Sequence, residues 1–142
     1  MSISLLIQVG STWAMVGVIW TIQLLVYPNM AQVPAAGFES FERLHQRRVV
    51  WVLALFAPAE IVTALIVFLA PGDVPRWMPL VGGMILAALW ISTAVFYAPL
   101  HGRLLNGFDP ALHQRLVRTN WLRTAGWSLR GALVLAMVAS IT

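Results

Sequence analysis

Four stretches of this chain stay apolar for about twenty residues at a time, and no other feature limits its fold so strongly. A helix needs roughly 20 such residues to cross ~30 Å of hydrocarbon, and a segment in lipid must satisfy its backbone polar groups internally. The stretches run over about 3–27, 48–70, 77–100 and 119–141. Joined by short connections, they predict an all-α polytopic membrane protein, an up-down bundle of four transmembrane helices forming a single domain over residues 1–142.

The connections read as turns. "LAPGDVPRWMP" is rich in Pro and Gly, and within "HGRLLNGFDPALHQR" Asp109 and Pro110 are a capping residue followed by Pro at the first helical position. The last helix should therefore begin near residue 110, and the second should extend outward from its span through "FERLHQRR". No internal repeat, linker or low-complexity tract is evident. The N-terminal stretch has no basic leader and reads as a retained first span.

Only 10% of residues are charged, against about 25% in ordinary soluble domains. All 9 cations are arginine. They flank or enter apolar segments instead of forming a solvated patch, which points to a membrane and away from nucleic acid. Arg43, Arg47, Arg48, Arg103, Arg115 and Arg118 lie at the first and third connections, and Arg76 at the second. The positive-inside rule then puts both termini outside the cytoplasm. The absence of cysteine removes disulfides, iron–sulfur clusters and thiolate chemistry.

At about 100° per residue, the polar residues of each span fall on one face. The faces are Gln8, Thr12, Gln23 and Tyr27; His45, Glu60 and Thr63; Trp90, Thr93, Tyr97 and His101; and His113, Asn120, Arg123, Trp127 and Arg130. Lipid cannot satisfy these groups, so each face should turn inward. Glu60 and Arg130 share a depth near mid-span and are expected to form a buried ion pair. Small residues Ser128, Ala132, Ala136 and Ser140 recur every four positions, a stripe suited to close helix contact within the bundle or in a homodimer.

The remaining polar groups gather at the cytoplasmic ends. Imidazole suits iron, copper, zinc or haem iron, so His45, His101 and His113 are candidate metal or cofactor ligands. Tyr27, Tyr97 and Arg123 are candidate catalytic groups, and Gln23, Asn120, Arg123 and Trp127 candidate contacts to a head group. The function expected from these is a metal- or haem-dependent membrane oxidoreductase acting on a lipophilic or small substrate. Non-catalytic binding of a lipid or quinone, transport of a small solute, and an accessory subunit of a membrane complex are the alternatives.

"WTIQLLVYPNM", "FERLHQRRVVWV", "APLHGRLLNG" and "LVRTNWLRTAGWSLRG" together resemble a group of small bacterial four-span integral membrane proteins, over nearly the whole chain. The resemblance implies the bacterial inner membrane, where the arginine bias would make both termini periplasmic, and brings no activity with it. In length and span count alone the chain also resembles the small haem-associated protoporphyrinogen oxidases of bacterial membranes. Their motifs pair a histidine with a lysine, and this chain has no lysine.

Overall fold

A computed structural model describes residues 2–142. Among them there is no strand, and the chain forms four long helices: α1 Ile3–Met30, α2 Ala35–Leu69, α3 Trp77–Leu104 and α4 Pro110–Ala139. Side-chain caps explain two of the starts. Ser2 accepts from the Leu5 amide, and Asp109 accepts from the amides of Ala111 and Leu112 ahead of Pro110, at the boundary expected from the sequence. The connection between α2 and α3 turns at Gly72, whose φ of 60° suits a residue without Cβ. α2 continues through Pro58, in the middle of its apolar half.

Three apolar layers fix the course of the chain. One gathers Leu5, Val67, Val134 and Met137; a middle one Met15, Ile19, Ala64, Leu86 and Trp127; a third Tyr27, Met30, Phe38, Tyr97, Leu104 and Leu116. Followed along the chain, successive helices run in opposite directions. α1 packs on α2 and α4, and α3 packs on the same two.

The outer surface is apolar. Many large hydrophobic side chains are exposed, Leu55, Trp51, Leu69 and Leu122 by more than two-thirds, which in water would be a large liability and in a bilayer is lipid contact. α1, α2 and α3 are long and apolar enough to cross a membrane, with mean hydropathies of 1.6, 2.4 and 1.9. The sequence reading of four such segments is thus met by three. α4 is long enough but carries Arg115, Arg118, Arg123 and Arg130, which lower its apolarity.

The structure also brings out a repetition that the sequence reading missed. α1 and α3 each contain one π turn, over Ile22–Val26 and Thr93–Tyr97, where the backbone N–H five residues on closes the ring. Each lies just before a proline that cannot donate, Pro28 or Pro99. Trp20 and Tyr27 have the same separation as Trp90 and Tyr97, and "LHQR" opens the inner part of both α2 and α4, at Leu44 and Leu112. The two hairpins carry matching local signals too short to stand out from an apolar background.

Candidate functional site between the helices

The buried polar groups form two layers. In the inner one, Arg130 and Glu60 are both fully buried and joined through Nε and Oε1. Ser11 and Thr12 of α1 donate to the other Glu60 oxygen at 3.1 and 2.6 Å. Arg130 also donates to the carbonyl of Gly82 on α3. All four helices thus meet at one ion pair. Gly82 is needed here because a Cβ would stand 2.9 Å from the guanidinium. Arg130 Nη2 and Gln8 Oε1 are buried without a protein partner.

The second layer is at the opposite end of the core, where α1 and α3 finish. Tyr27 and Tyr97 end the two π turns and are almost wholly buried. The Tyr27 hydroxyl lies 3.1 Å from His101 Nε2, and His101 Nδ1 lies 2.7 Å from Glu42 Oε1. A carboxylate accepts, so Nδ1 carries a proton, and in the tautomer protonated there alone Nε2 accepts from the phenol. Gln46 Nε2 donates to the same Glu42 oxygen and to the His101 carbonyl, both at 2.9 Å. Glu42 is 0% exposed, and its Oε2 has no protein partner. Carboxylate, imidazole and phenol form one continuous chain from α2 through α3 to α1.

Beside that chain, Arg123 of α4 lies over the Tyr97 ring, 4.5 Å from its centroid, and donates from Nη1 to Asn120 Oδ1 at 3.1 Å. Asn120 in turn donates to Gln23 Oε1 at 2.8 Å, and Tyr97 donates its hydroxyl proton to the Thr119 carbonyl at 2.8 Å. Arg123 Nε is buried with no protein acceptor. A cavity of about 220 Å³ opens among these groups. Tyr27, His45, Tyr97, His101, Arg123 and Trp127 supply its polar and aromatic lining, and Met15, Ile19, Val49 and Leu53 its apolar walls.

Comparison with protein-family models, with curated proteins and with solved structures gives no match. The chemistry of the site rests on its own geometry.

That geometry unites most of the expected residues. Tyr27, Tyr97, His45, His101, Arg123 and Trp127 share the cavity, while Gln23 and Asn120 brace Arg123 from behind. The three histidines are not a ligand set. Tyr27 separates two of them, its hydroxyl meeting His101 and its carbonyl accepting from His113 Nε2 at 2.7 Å. His101 has both ring nitrogens engaged, and His113 turns toward Phe108, ring centroids 5.3 Å apart. Only His45 stays beside His101, at 5.5 Å between rings. Among the described residues no group of three or more His, Cys, Asp or Glu stands close enough to hold a metal ion. The three histidines therefore do not converge as one set of metal ligands in this arrangement.

Glu42, Gln46, Ser11 and Gly82 were not anticipated. Glu42 had a readable signal, since it sits one turn before His45 and four residues before Gln46 on the inward face of α2. Gly82 contributes only a carbonyl, which no side-chain pattern reveals. Of the small-residue stripe, Ser128 accepts from the Trp20 indole at 3.1 Å within the same chain, and Ala132 is exposed.

Proposed function

We propose that the protein is an integral membrane protein of four spans that binds a lipophilic molecule, headed by a carbonyl or anionic group, in the cavity beside Arg123. The observation that carries this reading is a guanidinium with an unpartnered buried nitrogen on a cavity that is otherwise aromatic and aliphatic. Such a site pairs a few fixed polar groups with apolar walls, the usual makeup of a small-molecule site. Arg123 is already oriented by Asn120 and Tyr97, so little ordering is needed when a ligand arrives. A quinone carbonyl or a carboxylate has the acceptor geometry for the arginine fork.

The fourth span is α4. Arg130 is enclosed by α1, α2 and α3, and Arg123 turns to Tyr97 and Asn120, so neither charge has to meet lipid. The arginine bias puts the Tyr27–His101 end at the cytoplasmic face of a bacterial inner membrane, with both termini periplasmic. A reporter fused after Thr142 should therefore be active only if it functions outside the cytoplasm. Activity of a cytoplasm-only reporter would reverse the orientation.

A catalytic reading has one observation in its favour, the Glu42–His101–Tyr27 chain. In that reading Tyr27 takes a proton from the bound molecule as its own passes to His101 Nε2, and Glu42 steadies the imidazolium that forms.

Arg123→Lys tests the binding site. Lysine keeps the charge but loses the planar fork, so insertion and helicity should be unchanged while occupancy by co-purifying apolar molecules falls about tenfold or more. Occupancy is read by mass spectrometry of extracts from parent and variant at equal stability. Equal occupancy would leave Arg123 as a topological charge and remove the main support for a ligand.

A further inference from the structure

A second space lies on the outside of the bundle. Between α3 and α4 a groove of about 660 Å³ runs along the surface, with Ile85, Ala88, Leu122 and Leu129 among its apolar lining. Arg103 of α3 and Arg115 of α4 line one end, and both are exposed. No Asp or Glu lines the groove. Both arginines stand beyond Tyr97 and Thr119, toward the turn joining the two helices, so the charged end coincides with the end of the apolar belt.

We propose that this groove is a site for an anionic phospholipid, with its acyl chain along α3 and α4 and its phosphate between Arg103 and Arg115. Charge complementarity selects this occupant. Two cations without a neighbouring carboxylate favour a lipid of net negative charge over a zwitterionic one, whose own ammonium offsets its phosphate. The partly closed shape matters as well. Arginines on a smooth helix would attract anionic lipids only as a diffuse layer, whereas a groove next to the charges holds one chain in place. Gly126 lets α4 come close to Leu89 at the floor; a Cβ there would stand 2.9 Å from that side chain. Tyr97 and Arg123 line both this groove and the interior cavity, whereas Arg103, Arg115 and Ala88 line the groove and not the cavity, so variants at those three test the groove by itself.

Native mass spectrometry of the full chain, released from nanodiscs of mixed phosphatidylglycerol and phosphatidylcholine, tests the proposal. The parent should retain one phosphatidylglycerol in preference to phosphatidylcholine. Arg103→Gln combined with Arg115→Gln should lower that preference roughly 30-fold, at about fivefold for each cation near the surface. Ala88→Trp fills the apolar part and leaves both arginines in place. It should lower retention of both lipids, while a diffuse charge layer would not respond to it. Equal retention of the two lipids by the parent, or undiminished retention of phosphatidylglycerol in Ala88→Trp, would overturn the site. Because Ala88 is exposed, that variant keeps the comparison open even if the double arginine variant inserts poorly.

Discussion

Glu60→Leu is expected to be the most damaging single substitution in this chain, lowering stability by about 3–5 kcal/mol, the usual cost of removing one partner from a buried ion pair. The reason lies in what would be left behind. Arg130 is 0% exposed, cannot lose its proton, and would keep only the Gly82 carbonyl, with Nη2 already unpartnered. Arg130→Met should cost less. Glu60 would still accept from Ser11 and Thr12, and a stranded carboxyl can neutralise itself by taking up a proton. The double variant should regain much of the loss, because two apolar side chains leave no buried charge. Denaturant unfolding in a fixed detergent gives the order. An Arg130→Met effect equal to or larger than that of Glu60→Leu would contradict it, and two near-neutral single variants would mean that water reaches the layer.

The same pair shows what a sequence of this kind reveals. Two opposite charges at equal depth in apolar segments have few places to go except to each other, so Glu60 and Arg130 could be paired from position alone. The alternation of helix direction was equally legible, from short connections and the Asp109–Pro110 start. Less legible was how completely hydrogen bonds within the cluster would use up the histidines. Periodicity puts His45, His101 and His113 on inward faces, but it cannot say that the hydroxyl and the carbonyl of a single residue, Tyr27, would hold two of them apart. Periodicity itself also shifts where it is needed most. The π turns at Ile22–Val26 and Thr93–Tyr97 add a residue to one turn each, so the regular spacing used to place Tyr27, Tyr97 and His101 slips at the site. The two prolines were the available signal for that slip. Glu42 escaped notice because it precedes the apolar span, although it belongs to the same continuous helix and is as buried as Glu60.

His101→Leu is expected to have the second largest effect, about 1.5–3 kcal/mol for the loss of a hydrogen bond to a buried charged group. Glu42 would keep only the Gln46 amide on Oε1, while Oε2 is without a partner already. Adding Glu42→Gln should restore part of the loss, because a neutral amide is cheaper to leave underbonded than a carboxylate. Tyr27→Phe cuts the other end of the chain and should cost less, about 0.5–1.5 kcal/mol, because it removes a bond between neutral partners and leaves the Glu42–His101 contact in place. That ranking separates a directed chain from three residues that merely share a packed space. If the interior were held by packing alone, loss of a phenolic hydroxyl or an imidazole would track volume, and Glu42→Gln would add damage to His101→Leu instead of relieving it. Chemical denaturation of the three variants decides between these outcomes. Relief by Glu42→Gln would establish a charged carboxylate under His101, the acceptor at the end of a chain whose protons point from Tyr27 through His101 to Glu42.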